Sequence, residues 1–348
     1  MKNHDSHFTG LLLLGLAVLG FNPLCRAEGS YHFLKEIPVG GDAGWDYLSV
    51  DPGSHRLYVT HGTKVVVIDT QTDGVIGEIA DTPGVHGFVF APELGRGFSS
   101  NGRENKASIV DLKTLKTIAK VATGENPDAI LYEPGQGEVY TFDGRGHTAT
   151  VFEAATGKVV ATVPVGGKPE FAQADPAAGR VYVNLEDKNE VLAFDTKTHA
   201  IVNHWPIAPG EEATGLAIDL AQHRLILGCS NDRMIIMDST TGRVVTSLAA
   251  GQGIDATSFD PGTQLAFASA GDGTVTIAHE DTPDKFTVIQ TLATHRGART
   301  MTLDPVTHKI YLASAEFEAP GAPAPAGSPR PRPKMIPGTF KVLVYGMD

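Results

Sequence analysis

A chain that returns to the same local pattern every forty-odd residues must also repeat in space. Corners that carry an acid, a proline or both fall at Asp51, Ala91, Glu133, Asp175, Asp219, Asp260 and Asp304, at intervals of 40, 42, 42, 44, 41 and 44 residues. Seven residues after each corner stands a large apolar residue: Tyr58, Phe98, Tyr140, Tyr182, Ile226, Phe267 and Tyr311. In five copies the next run ends on an acid, at Asp69, Asp111, Glu153, Asp195 and Asp238. Within one period, residues 168–210, four short apolar runs (171–174, 180–184, 190–194 and 200–207) are separated by clusters of Asp, Pro, Gly, Asn and Thr. Such runs read as strands joined by hairpin turns. The middle runs are apolar at nearly every position, which suits strands covered on both faces. One such sheet cannot cover itself and needs neighbours of its own kind. Four strands per unit at this period is the mark of a β-propeller, and seven corners predict an all-β fold of seven four-stranded antiparallel blades.

The two ends of the repeat array complement each other. Residues 31–41 read as an outer strand without a blade, and their KEIPVGG matches ATVPVGG at 161–167, the fourth strand of the third repeat. The last repeat supplies only three strands, at 298–303, 309–314 and 340–346. Strand 31–39 is therefore expected to close the ring beside 340–346 and remove an open sheet edge. Pro38 and Pro164 are tolerated because an outermost strand need not donate on its free side.

Residues 1–27 follow a different logic: Lys2, an apolar core from Leu11 to Phe21, and small residues positioned for cleavage after Ala27. This reads as a signal peptide, with residues 28–348 as a single propeller domain of a periplasmic or secreted bacterial protein. The apolar run is too short for a permanent span, so no membrane span is expected after cleavage. Loss of Lys2, Arg26 and Asp5 moves the formal charge from −12 to −13. That charge opposes nucleic-acid binding, which depends on neutralising phosphates. Cys229 is then the sole cysteine, so no internal disulfide holds the fold, and it reads as a buried inert thiol. Residues 316–338 form a proline-rich insertion in the last blade, with prolines at 320, 323, 325, 329, 331, 333 and 337 and basic residues Arg330, Arg332 and Lys334. Such sequence cannot pack a core and reads as an extended or mobile loop, with a basic flap over one face as the alternative.

The runs LYVT at 57–60 and VYVN at 181–184, each after a corner and before an Asp-Thr turn, resemble YVTN-type propeller repeats. Residues 297–301, 315–318 and 332–338 resemble the exported YncE-like group within that family, part of the wider WD40/YVTN repeat-like class. The resemblance covers the whole mature chain. It implies a seven-bladed propeller outside the cytoplasm and little about chemistry, with single-stranded DNA binding as one activity proposed for relatives.

Five residues before each corner, where each innermost strand begins, stand Asp46, His86, Asp128, Glu170, Thr214, Asp255 and Arg299. All are polar, and radial repetition brings them around the mouth of one channel. Turn preference alone accounts for Asp and Thr but less well for His, Glu and Arg. The loops between second and third strands add His61, Asn101, Asp143, Glu186, Asn231, Asp272 and Glu316 on the same face. Asp46, His86, Asp128, Glu170 and Asp255 offer mixed carboxylate and imidazole ligands to a divalent metal ion, a set that suits Mn²⁺ or Zn²⁺ better than Ca²⁺.

No Cys-x-x-Cys-His, nucleophile-elbow or Walker-type motif occurs, and only Trp45 and Trp205 are present. These absences exclude covalent c-type haem and argue against a tryptophan-docked quinoprotein and the familiar hydrolase and nucleotide motifs. His199, His223 and His308 fall in predicted turns and read as solvated. The leading expectation is a non-enzymatic exported scaffold that binds a small ligand, ion or protein partner at its channel face. A metal-assisted hydrolase resembling propeller lactonases is the alternative, and single-stranded DNA binding is a third.

Overall fold

The computed structural model describes Met1, residues 29–318 and residues 334–347. The signal-peptide reading therefore lies outside the described residues, Met1 apart, as do Arg330 and Arg332. Seven four-stranded sheets are arranged radially, each innermost strand packs on the next, and the seventh returns to the first. Blade 1 runs outward through Trp45–Asp51, Arg56–His61, Lys64–Asp69 and Val75–Ile79. Blades 2 to 6 repeat that order, all with antiparallel pairing.

Blade 7 is built from both ends of the chain. Met301–Asp304, Lys309–Ser314 and Lys341–Gly346 are joined by His32–Pro38, which pairs antiparallel from His32 opposite Gly346 to Pro38 opposite Lys341. The closure expected from the complementary ends is what the fold uses. Ile37 and Tyr31 are buried at the seam, and the Tyr31 hydroxyl donates to the His308 carbonyl at 2.6 Å.

The repeated large apolar position has a single physical purpose. The core is divided into seven apolar clusters, one at each blade–blade interface. Tyr58 lies between blades 1 and 2, Phe98 between 2 and 3, Tyr140 between 3 and 4, and Tyr182 between 4 and 5. Ile226, Phe267 and Tyr311 serve the remaining three. Each interface thus receives one of them, and a large side chain buried there contributes about 1.5–3 kcal/mol.

The corner acids hold the turns. Asp51 accepts from the Gly53 amide and the Ser54 hydroxyl, Glu133 from the amides of Gly135 and Gln136, and Asp260 from the Gly262 amide and Thr263 hydroxyl. Four residues past each corner the backbone is left-handed, at His55, Gly95, Gly137, Gly179, His223, Gln264 and His308. Ala91 has no such carboxylate, and a 3₁₀ turn at Pro92–Leu94 takes its place. Two of the turn histidines depart from the solvated reading. His199 Nε2 lies 2.8 Å from Glu138 and His308 Nδ1 lies 2.7 Å from Asp260, each reaching the preceding blade. His223 is half exposed, 4.0 Å from Asp175. Cys229 is buried and free, and burial pushes its thiol up to about 12.

Among the described residues of the insertion, Phe317 and Met335 form an antiparallel bridge and the Gly338 amide donates to the Gly41 carbonyl. Phe317 also meets Trp45, which stacks on Phe340. The insertion therefore leaves from the blade-1 side of the face where the innermost strands begin. Residues 319–333 lie outside the described residues.

Candidate functional site

Six of the seven innermost strands begin with the same kind of irregularity. The pairing register slips by one residue between Trp45 and Leu48, Val85 and Phe88, Pro127 and Ile130, Pro169 and Ala172, Ala213 and Gly215, and Ile254 and Ala256. Asp46, His86, Asp128, Glu170, Thr214 and Asp255 sit inside these slips. A bulge releases a residue from the ladder and re-aims its side chain. The polar ring is thus six bulges side by side, completed by Arg299 just ahead of its strand.

Three of the ring residues converge. His86 Nδ1 lies 2.6 Å from Asp46 Oδ2 and 3.5 Å from Asp128 Oδ1. One ligand atom from each lies within 4.8 Å of the others, so the three can share one cation. Arg299 Nε pairs with Asp255 Oδ2 at 3.0 Å. Glu170 Oε1 is 2.5 Å from Lys168 Nζ, which also pairs with Glu186. Five carboxylates, Asp46, Asp128, Glu170, Glu186 and Asp255, thus share three positive partners, His86, Lys168 and Arg299.

Proton affinities follow from that imbalance. Burial pushes Glu170 up to about 8, aided by the Asp128 charge and opposed by Lys168. Lys168 itself is raised, because its bonds to Glu170 and Glu186 outweigh its own burial. The pair thus favours the lysine charge while leaving the more deeply buried Glu170 under-compensated, since one ammonium serves two carboxylates. Asp128 is pushed up to about 6, again by burial, with His86 pulling the other way. Asp46 and Asp255 are raised by burial against the pull of His86 and Arg299 respectively. Burial alone would lower His86, but the Asp46 hydrogen bond and the charges of Asp128, Asp46 and Glu170 lift it to about 9. The hydroxyl of the half-buried Tyr47 is raised well above the ordinary phenol by desolvation and by the charges of Asp128, Glu170, Asp46 and Asp255. It remains a protonated donor in the midst of the acids.

Thr214 is on the ring, but its hydroxyl donates to the Ile254 carbonyl at 2.8 Å and joins blades 5 and 6. Of the seven aligned residues of the second-to-third loops, all described, only Glu186 faces the ring acids. His61 is buried and stacked on Phe340, 4.5 Å between centroids. Asn101 bonds Glu104 and Ser108, and Asp143 takes three threonine hydroxyls and the Gly124 amide. Asn231 and Asp272 bond the backbone of the adjacent lead-in loops, and Glu316 lies 3.8 Å from Lys341. The ring alignment did not single out Lys168 or Tyr47. Their signal was position: Lys168 lies two residues before Glu170, and Tyr47 is the second residue of the first bulge.

No family model matches the chain, and no curated protein matches it. Among solved structures, a chain in a crystal structure of the mitotic checkpoint complex superposes with a TM-score of 0.72 at 12% identity, over 87% of this chain and 95% of that one. A likeness at that identity is one of fold, and the chain is a β-propeller.

Proposed function

We propose that the protein is a non-enzymatic propeller scaffold that captures a positively charged small ligand or ion at its channel mouth. The observation that carries this reading is the excess of five carboxylates over three positive partners around one partly buried opening. In such a place carboxylates hold protons until a better cation replaces them. The YVTN-type and YncE-like resemblance, read from residues 57–60, 181–184, 297–301, 315–318 and 332–338, belongs to the same proposal, as does a leader at residues 1–27 that is cleaved on export.

The test is thermal shift on the mature protein with Mn²⁺, Zn²⁺ and small amines, alongside Asp128→Ala with Glu170→Ala. The reading expects a probe-dependent rise in melting temperature that the double variant lacks. A wild type insensitive to every probe, or a double variant that keeps the shift, overturns it.

The convergence of Asp46, His86 and Asp128 favours one second reading, a metal-assisted hydrolase. Two carboxylates and an imidazole fit a divalent transition metal, provided the His86 proton leaves first. A bound ion there would supply Lewis-acid polarisation of a substrate oxygen. Turnover of a lactone panel dependent on added metal would establish it. Single-stranded DNA binding gains no support, because the acid-rich mouth repels phosphate.

A further inference from the structure

Beneath the ring the channel is not filled. A cavity of about 70 Å³ opens inside blades 1 to 4 and is lined mainly by apolar groups, among them Leu48, Phe88, Ile130 and Phe171. Its lining begins where the ring ends. Asp46 is followed by Tyr47, His86 by Gly87, Asp128 by Ala129 and Glu170 by Phe171, and the second member of every pair faces the cavity. These four pairs are the two-residue bulges of blades 1 to 4. One backbone device therefore places a polar residue at the rim and an apolar or small one directly below it. Tyr47 and Phe171 meet edge to face at 5.0 Å and form an aromatic part of the cavity's lining.

The ring is not uniform in charge compensation. Arg299 pairs with Asp255, the one Lys168 ammonium is shared by Glu170 and Glu186, and His86 is drawn to Asp46 at 2.6 Å. Asp128 is left with a 3.5 Å approach from His86, although its side chain is only 14% exposed. Ala129, next in sequence, is small and leaves the space below it open.

We propose that the mouth is a two-part site for a short primary alkylamine, free or at the end of a larger molecule. The ammonium group sits on Asp128, and its carbon chain enters the cavity between Tyr47, Ala129 and Phe171. This rests on the cation-capturing reading above and names the class of cation. A bare metal ion would use the rim and gain nothing from apolar walls. An uncharged alkane tail would use the walls and leave Asp128 unanswered. An alkylammonium answers both, and an aromatic wall beside the charge adds cation–π attraction. The cavity holds a volume comparable to about two waters, which limits the inserted tail to a few carbons.

The experiment is a titration followed by NMR or calorimetry at pH 7 with n-propylamine, n-propanol, ammonium and Mn²⁺, on wild type, Asp128→Asn and Ala129→Val. Propylamine should bind wild type at least tenfold more tightly than either propanol or ammonium. Asp128→Asn should cost propylamine at least tenfold and leave propanol unchanged. Ala129→Val, which fills the cavity without touching the charge, should weaken propylamine and propanol together. Should one variant fail to fold, the other still reads one half of the site. Ammonium equal to propylamine, or propylamine indifferent to Asp128→Asn, overturns the inference. Mn²⁺ binding with no preference for the amine also overturns it while sparing the cation-capturing reading. If none of the cations binds, both fall.

Discussion

The innermost strands carry acids at both ends, and the two rims treat them in opposite ways. At the corner rim, Asp51, Glu133 and Asp260 accept from backbone amides and hydroxyls of their own turns. The outer turns follow the same rule. Bonds from the Thr72 and Thr114 amides hold Asp69 and Asp111 below the ordinary range, and Asp238, despite some burial, is brought down to about 2 by the hydroxyl and amide of Thr240. At the mouth rim, Asp46, Asp128, Glu170 and Asp255 meet mainly other titratable side chains and are all raised by burial. An acid answered by backbone donors serves the fold. An acid answered only by its neighbours is available to something else.

Both rims require a closed ring, so the largest expected effect is that of opening it. Deleting residues 29–39 strips the partner from Lys341–Gly346 and uncovers the blade faces that Tyr31 and Ile37 seal. The truncated protein should aggregate or melt at least about 10 °C lower. An unchanged melting temperature would refute the closure. Next comes the interface position. Tyr140→Ala should cost about 3–5 kcal/mol in denaturant unfolding, as for other large-to-small core changes.

Substitutions of acids at the two rims should differ in sign. Asp260→Ala strands the Gly262 amide, the Thr263 hydroxyl and His308, and should destabilise by about 2–3 kcal/mol. Glu170→Gln should instead stabilise, by about 1–2 kcal/mol at pH 9. Equal losses from both would erase the distinction between the rims.

The same contrast predicts a pH profile. Glu170 is raised from 4.5 to about 8, so the folded state holds the extra proton between those values and stability falls as pH rises through them. His86, raised from 6.5 to about 9, contributes stability that is fully present below 6.5 and lost as pH climbs through 9. Asp238, lowered from 3.8 to about 2, contributes stability present above 3.8 and lost as pH falls through 2. Melting temperature should therefore decline from pH 6 towards pH 9, and Glu170→Gln should flatten that decline. Glu280 adds a separate contribution on the opposite rim, where burial and the nearby Asp219 raise it to about 7. Glu280→Gln should give a smaller gain above pH 7.

Sequence reasoning reached the features that repeat. The corner, the residue seven places on, and the missing fourth strand are each set by a local rule applied seven times. It also placed the polar ring, because a bulge position is a fixed count from the corner. What it could not assign were partners. That Thr214 gives its hydroxyl to Ile254, that Lys168 serves Glu170 and Glu186, and that Tyr47 stands among four carboxylates depend on approaches across blades. No period in the chain encodes them. His199 and His308 show the same limit: their turns were legible, but the acids they reach were not.

The central claim is that the mouth holds carboxylates short of positive partners, with Glu170 the most affected. The direct measurement is a ¹³C titration of the glutamate side-chain carboxyls in the metal-free protein, residues 28–348, with Glu170 assigned by its glutamine variant. Glu170 should titrate at about 8, above its ordinary value of 4.5. A Glu170 carboxyl that titrates at or below the ordinary glutamate value would mean that Lys168 already satisfies it, and the claimed shortage of positive partners would fail at the carboxylate where it is greatest.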